Sequence, residues 1–139
     1  MISLSVIVPI YNEEQFLEQS VERIIDNDIF QNILLIDNNS SDRSYEIANK
    51  LQKKYEKVSI YKTNEVAGKG VVISFARKLI ETTHVVIHDA DLEYFPSDIL
   101  DMFDLAKKNP NSLILGSRFI GSKERKNIYK RTFFANKIM

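Results

Sequence analysis

Three carboxylic acids follow a short apolar run in the stretch VVIHDADLEYFP, residues 85–96. Asp89 and Asp91 are separated by one residue, and Glu93 lies two residues further on. Alternate side chains of a strand point to the same side, so the first two acids are expected to face one way. Two such carboxylates repel each other unless a cation lies between them, and Mg²⁺ commonly takes one or two carboxylates plus substrate phosphates.

The spacing therefore predicts a site for a divalent cation, Mg²⁺ or Mn²⁺, with Asp89, Asp91 and Glu93 as its ligands. Such a cation would neutralise the charge that develops on a diphosphate leaving group. The structural alternative is a solvated loop whose acids favour the N-terminus of the helix that follows Pro96.

Composition and charge exclude several other kinds of site. The 139 residues include no cysteine, which excludes disulfides and thiolate metal sites. His84 and His88 flank a predicted strand and are interpreted as structural, and two histidines are too few for a typical histidine-based zinc site. Basic and acidic residues number 19 each, so net charge gives no argument for a nucleic-acid partner.

The N-terminus lacks signal-peptide features and no apolar run approaches the roughly 20 residues that span a bilayer, so a cytoplasmic location is expected.

Apolar, β-branched runs alternate with helical patterns along the chain. Five runs predict strands, within SLSVIVPI, NILLID, KVSIYK, HVVIHD and SLILGS. Helices are predicted between them, with candidate N-caps or helix starts at Asn12, Ser40 or Ser41, Gly68 and Pro96. The alternation predicts a three-layer α/β/α domain with a mostly parallel, Rossmann-like sheet. Residues 1–139 are expected to form one domain, with a basic and aromatic tail over 119–139.

Unusual polar residues concentrate at the predicted carboxyl ends of the strands, where open parallel sheets bind ligands near a switch in strand order. Besides the acids after the fourth strand, the first, second and fifth strands are followed by Pro9, Tyr11 and Asn12, by Asp37, Asn38 and Asn39, and by Gly116, Ser117 and Arg118.

In this order, the motifs PxYNEE, IDNNSSD, GKG, DADLEYxP and GSRF resemble those of family 2 glycosyltransferases of the GT-A fold. Within that family they look most like the dolichyl- or polyprenyl-phosphate sugar synthases. The resemblance extends from Ser5 to about Asn136, and five motifs in order are specific although each alone is weak. It implies metal-dependent, inverting transfer of a sugar from a nucleoside-diphosphate sugar to an acceptor. Because the family's catalytic domain usually continues past Asn136, the resemblance also implies that this chain is short at its C-terminal end, as a truncation or as an unusually small member.

The resemblance also implies residue roles. The nucleotide sugar would be bound by Pro9, Tyr11, Asn12, Glu13, Asp37, Asn38, Lys69, Asp89, Ala90 and Asp91. Asp91 and Arg118 would act at the reaction centre, Asp91 with the metal and Arg118 on an anionic group such as an acceptor phosphate.

Two positions depart from the family's pattern. Asn38 stands where the family often has a second acid, and an amide accepts with one side and donates with the other, so the choice of base stays open. Glu93 stands where many members have Gln, which adds negative charge to the predicted metal site.

The predicted acceptor depends on a missing acid. A hydroxyl acceptor needs a general base, whereas a lipid phosphate is already ionised near neutral pH. Relatives that use a hydroxyl place this base after the GSRF position, but the only acid after Arg118 is Glu124. A polyprenyl phosphate, dolichyl or undecaprenyl, is therefore the predicted acceptor. The alternatives are a saccharide hydroxyl in cell-surface polysaccharide synthesis, and a catalytically incomplete fragment that binds a nucleotide sugar.

Several assignments have plain structural alternatives. Tyr11 also fits an aromatic residue at the edge of the core, Asn38 and Asn39 fit turn residues with positive φ, Glu13 fits the first turn of a helix, and Lys69 and Arg118 fit surface cations.

The tail over 119–139 interleaves basic and aromatic residues, which suits peripheral contact with the inner face of an anionic membrane. An exposed sheet edge would favour homo-oligomers.

Overall fold

Parallel strands alternate with helices in the computed structural model, which describes residues 2–116. The elements are β1 Leu4–Ile10, α1 Leu17–Ile25, β2 Phe30–Asp37, α2 Ser44–Lys54, β3 Val58–Lys62, α3 Lys69–Arg77, β4 His84–Ile87 and α4 Asp98–Lys108. The strand order is β3-β2-β1-β4, and each neighbouring pair is parallel. The chain runs outward from β1 to β3 and then returns to the other side of β1 as β4. The switch in strand order therefore lies between the carboxyl ends of β1 and β4.

Helices cover both faces of the sheet. On one face, Leu17, Val21 and Ile24 of α1 are fully buried and pack with apolar residues of α2, α4 and alternate positions of β1 and β2. On the other face, Val72 and Ala76 of α3 pack against the intervening residues of those strands. The central strands are apolar on both sides because each side meets helices. The predicted three-layer α/β/α fold is confirmed.

The first helix begins later than its sequence pattern predicts. It starts at Leu17, and Asn12 is not its N-cap. Asn12 instead has a left-handed backbone with φ 55°, a conformation that asparagine tolerates better than most residues. The second helix begins at Ser44 rather than directly after Ser40 or Ser41. The segments before both helices are joined to each other by a set of hydrogen bonds, described below.

The third and fourth helices begin close to the predicted positions. Gly68 occupies the N-cap position of α3, and its extended backbone carries the chain into the helix. The fourth helix begins at Asp98, two residues after Pro96, where a fixed φ suits the entry to a helix.

The predicted fifth strand is not formed over its described part. Residues 113–116 have no regular structure, and Leu113 and Leu115 are 83% and 80% exposed. Within residues 2–116, β4 is the last strand on this side of the sheet, and Val85 and Ile87 are each 45% exposed. A strand depends on pairing with a neighbour, and no ladder is formed along residues 113–116. Ser117, Arg118 and the tail over 119–139 lie outside the described residues.

No helix in the described range reaches the length and apolar content needed to cross a membrane.

Candidate functional site

Most of the predicted binding residues meet at the carboxyl edge of the sheet. Ile7 of β1 is paired with Ile87 of β4, so the chain segments that follow these residues leave the sheet side by side. Asp37 at the end of β2 is paired with Ile10, which brings the loop after β2 to the same edge. Three loops, 11–16, 38–43 and 88–97, therefore surround the switch point.

Pro9 and Ala90 lie at this edge with little side-chain surface to offer. The ladder between β1 and β4 ends at Ile7, two residues before Pro9. The missing N–H of Pro9 therefore removes no bond from that ladder. Ala90 is 2% exposed and packs in the core. A ligand at this edge would therefore meet the backbone of Ala90 rather than its methyl group.

Hydrogen bonds tie loop 11–16 to loop 38–43 and to the start of α2, an arrangement we call the loop clasp. Three consecutive N–H groups donate to side chains across the gap: Asn12 to Ser40 Oγ at 3.1 Å, Glu13 to Ser44 Oγ at 2.8 Å and Glu14 to Asp42 Oδ2 at 3.1 Å. In return, Asn12 Oδ1 accepts from the Ser41 N–H at 2.9 Å. The clasp satisfies three backbone donors before α1, and it holds the backbone of Glu13 and of Asn12, the residue after Tyr11.

Tyr11 is 49% exposed at the rim of this edge, so its ring is open to a ligand rather than packed in the core. Asp37 is fully buried, and its two carboxylate oxygens lie 3.4 and 3.2 Å from the Ser40 N–H nitrogen that donates to them. Lys62 Nζ lies 4.0 Å from Asp37 Oδ2. In the structure, Asp37 therefore shapes the loop after β2.

Asn38 uses both sides of its amide within the protein. Its Nδ2 donates to the Ala67 carbonyl oxygen at 2.7 Å, and its Oδ1 accepts from the Ala67 N–H at 2.9 Å. Thr63 Oγ1 lies 3.3 Å from the same Oδ1 and 2.9 Å from the Glu65 carbonyl oxygen, and its one proton serves one of these acceptors at a time. Asn38 is only 8% exposed, so its side chain is engaged with the segment before α3.

The two aspartates of the DAD motif lie in a loop, because β4 ends at Ile87. The expectation that strand alternation aligns them was wrong for this reason. Asp89 forms an ion pair with Lys69 at the start of α3. Asp91 Oδ1 accepts from the Glu93 N–H at 3.0 Å, which closes a tight turn.

Glu13 is the further acid that the structure couples to this pair. Burial raises the pKa of the Glu13 carboxyl above its usual value, and the negative charges of Asp91, Asp42 and Asp89 raise it further. The family resemblance implied a role for Glu13 in binding the nucleotide sugar, and nothing in the PIYNEE motif indicates its proximity to residues 89–91.

The described residues do not form an all-protein metal cage. No group of three or more acidic or histidine side chains over residues 2–116 is placed to hold a metal ion, so Asp89, Asp91 and Glu93 are not assembled as a three-ligand set. Asp89 and Asp91 still fit a hard cation that takes its remaining ligands from phosphate oxygens and water. In the structure, the Lys69 ammonium group supplies the positive charge beside Asp89.

His88 is buried directly behind the acids. Its Nδ1 lies 2.8 Å from the Asp89 carbonyl oxygen, and Nδ1 must donate because a carbonyl oxygen only accepts. Its Nε2 is buried and has no hydrogen-bond partner in the described part of the chain. Burial lowers the pKa of His88 below its usual value, although the Asp89 carbonyl and the nearby aspartates oppose this.

A pocket of about 270 Å³ opens beside Asp89. Its lining includes Lys69, His88, Asp89, Tyr94, Phe95 and Met102. The site thus combines a cation, an acidic loop and an adjoining apolar and aromatic hollow at the switch point. This arrangement suits a ligand that carries both anionic groups and a ring.

Comparison with known proteins agrees with this geometry. The sequence profile described as "Glycosyl transferase family 2" matches residues 5–139. The chain belongs to glycosyltransferase family 2. The resemblance read from the motifs is therefore confirmed at the level of the family.

Two curated relatives illustrate the range of this family. The chain is 33% identical over 141 residues to the Dolichol-phosphate mannosyltransferase of Pyrococcus furiosus, which covers 98% of this chain and 39% of the relative. It is 26% identical over 118 residues to the Poly(ribitol-phosphate) beta-glucosyltransferase of Bacillus spizizenii, which covers 81% of this chain and 18% of the relative. The chain thus spans well under half the length of either relative.

A solved structure of the family has a similar fold. The mannosyltransferase PcManGT from Pyrobaculum calidifontis, in complex with GDP-Man and Mn²⁺, matches with a TM-score of 0.60 and 25% identity over 63% of this chain and 27% of that chain. The four-stranded parallel sheet with flanking helices is the α/β fold of GT-A glycosyltransferases.

Proposed function

We propose that this chain is the donor-binding part of a glycosyltransferase that takes a sugar from a nucleoside-diphosphate sugar and passes it to a polyprenyl phosphate. The observation that carries the proposal is the grouping of Lys69, Asp89, Asp91 and Glu13 at the switch point of a family 2 fold. A lysine and an acidic pair side by side are the groups that bind a diphosphate together with a cation.

The donor would lie across the carboxyl edge of the sheet. Tyr11 offers an exposed ring against the base or ribose, and Pro9, Asn12 and Glu13 form the backbone and side-chain surface around it. Lys69 would pair with phosphate oxygens, since it begins α3, where N–H groups also favour anions.

A divalent cation, Mg²⁺ or Mn²⁺, would be held by Asp89 and Asp91 together with the donor diphosphate. When bound, it would neutralise charge on the leaving diphosphate. Lys69 would leave its ion pair with Asp89 and turn to the phosphates, so the ammonium group would remain within the same electrostatic network. Glu93 would contribute charge near the site.

In the proposed reaction an oxygen of the acceptor attacks the anomeric carbon of the sugar, and the bond from that carbon to the diphosphate oxygen breaks. Attack from the opposite side inverts the configuration. A phosphate acceptor brings an ionised oxygen and needs no general base. Arg118 would bind this acceptor phosphate, for which a guanidinium group is suited.

The acceptor class is supported by the relative named a Dolichol-phosphate mannosyltransferase, which is 33% identical over nearly all of this chain. A lipid acceptor implies a cytoplasmic protein whose tail over 119–139 contacts the inner face of the membrane. A second candidate, transfer to a hydroxyl of a cell-surface polymer, is favoured by the relative named a Poly(ribitol-phosphate) beta-glucosyltransferase.

The test is a transfer assay with radiolabelled UDP- and GDP-sugars, Mn²⁺ or Mg²⁺, and three acceptors: a polyprenyl phosphate, the matching polyprenol and a saccharide. The proposal predicts label in the polyprenyl phosphate only, and loss of that label in Asp91→Asn. Label in the saccharide alone would contradict the proposed acceptor. Donor binding without transfer to any acceptor would identify the chain as an incomplete, nucleotide-sugar-binding part.

A further inference from the structure

The side-chain amide of Asn38 pairs with the backbone of a single residue, Ala67. Nδ2 donates to the Ala67 carbonyl at 2.7 Å, and Oδ1 accepts from the Ala67 N–H at 2.9 Å. Of the side chains of this size, only an amide both donates and accepts in this way, whereas a carboxylate only accepts. The arrangement therefore depends on asparagine at position 38 and would not form with aspartate.

Ala67 lies two residues before Lys69, the first residue of α3. In the segment 63–68 that leads to this helix, residues 64–66 are exposed, whereas Ala67 is partly buried against the apolar cluster beneath α3. Hydrogen bonds hold the segment at both ends. Thr63 donates through its N–H to the Asp37 carbonyl at 2.9 Å, and Ala67 is held by Asn38.

The contacts thus form a continuous path from the end of β2 to the acidic loop. Asn38 holds Ala67, Ala67 leads into the first turn of α3, and Lys69 in that turn pairs with Asp89. A change in the position of Ala67 would alter the entry of the chain into α3 and hence the position of Lys69 relative to Asp89, because only Gly68 separates Ala67 from Lys69.

We propose that Asn38 is a positioning residue that sets Lys69 against Asp89 through the backbone of Ala67, and that it does not read the nucleotide base. This inference rests on the proposed function for its effect on donor binding, but the positioning itself is a property of the unliganded chain. A base-reading amide would have to break its bonds to Ala67 before it could contact a ligand.

The test compares Asn38→Asp with Asn39→Asp in the full chain. Asn39 is a matched control, since it is the next residue, the charge change is the same, and aspartate also tolerates its φ of 57°. Amide hydrogen exchange is measured without ligand at Ala67 and at Val71 and Val72, whose N–H groups donate to the Gly68 carbonyl in the first turn of α3. Affinities for UDP and GDP are measured by calorimetry in the wild type and in both variants.

Asn38→Asp should speed exchange at Ala67 by about tenfold or more, because it replaces a donor with an acceptor that faces a carbonyl. Exchange at Val71 and Val72 should rise with it, and the affinities for UDP and GDP should fall by one common factor because Lys69 acts on the shared diphosphate. Asn39→Asp should change none of these values.

Unchanged exchange at Ala67 would overturn the positioning role, and a changed ratio of UDP to GDP affinity would assign Asn38 to base reading. If the wild-type chain binds no nucleotide, the proposed function fails, whereas the exchange data still decide whether Asn38 holds the start of α3. If Asn38→Asp does not fold, Thr63→Val replaces it. That variant removes the Thr63 hydroxyl, whose oxygen lies 3.3 Å from Asn38 Oδ1 and 2.9 Å from the Glu65 carbonyl oxygen. A smaller rise at Ala67 is expected, with no rise as the contrary result.

Discussion

Ser44 makes the most buried contact of the loop clasp, and its replacement by alanine tests whether the clasp stabilises the site. Ser44 is fully buried at the start of α2, and its Oγ accepts from the Glu13 N–H at 2.8 Å. Ser44→Ala removes this acceptor and leaves the N–H of Glu13 without a partner. An unsatisfied buried donor costs about 1–3 kcal/mol, and the better helix propensity of alanine offsets at most about 0.5 kcal/mol. A net loss of about 1–2 kcal/mol in unfolding free energy is expected.

The assay is urea unfolding followed by far-UV circular dichroism, with Ser41→Ala as the matched control. The Ser41 hydroxyl is exposed and donates to Asn12 Oδ1 at 3.2 Å, but the Ser41 N–H donates to the same oxygen at 2.9 Å and is kept in the variant. The control should therefore lie within about 0.5 kcal/mol of the wild type. Equal midpoints and slopes for the two variants would refute the reasoning that the clasp is held through buried Ser44. Because the clasp also positions Tyr11 and Glu13, nucleotide affinity should fall in Ser44→Ala and not in Ser41→Ala.

Three further predictions concern charge, pH and packing. Lys69→Met should lower affinity for a nucleoside diphosphate about tenfold or more and leave affinity for the bare nucleoside unchanged, as calorimetry would show. Its stability should change by no more than about 1 kcal/mol because the ion pair with Asp89 is partly exposed, and equal losses for both ligands would contradict a phosphate role. Because burial lowers the pKa of His88, the unfolded chain binds more protons below about pH 6.5, so the thermal midpoint should fall as pH drops from 7 to 5. A His88→Met variant should show a shallower fall, and parallel curves would be the contrary result. Ile24→Ala, at a fully buried site of α1, should cost about 2–5 kcal/mol in urea unfolding, whereas Leu115→Ala, at an 80% exposed site, should cost less than about 0.5 kcal/mol, and similar costs would contradict the described core.

The sheet and its helices were predictable because the signals are local. Most positions of β1 and the central run of β2 are apolar, which indicates strands covered on both faces, and the expected Gly68 is the N-cap of α3. The edge at which the polar residues meet followed from the alternation of strands and helices alone.

Contacts between distant segments were not predictable in the same way. Asn12 resembles an N-cap in the sequence, but its oxygen bonds to Ser41, 29 residues away, and α1 begins five residues later. Ser44 and Ala67 carry no chemical motif, yet they hold the loops that position the site.

The acidic residues show the same limit. The spacing of Asp89, Asp91 and Glu93 indicated a three-acid metal site, whereas β4 ends at Ile87 and these acids are not assembled as a three-ligand set; the negative charges of both aspartates also reach Glu13. Two side chains separated by one residue share a face only where the segment that carries them is a strand.

The central claim is that the acidic loop and Lys69 bind a nucleoside diphosphate together with a cation. The most direct measurement is calorimetric titration of the full chain with UDP and GDP, with and without Mn²⁺, beside Asp91→Asn and the control Asp101→Asn on the exposed surface of α4. Binding of a nucleoside diphosphate should require Mn²⁺, weaken about tenfold or more in Asp91→Asn and remain unchanged in Asp101→Asn. Binding that is equal with and without Mn²⁺, equal in Asp91→Asn, or absent for both nucleotides would contradict the central claim.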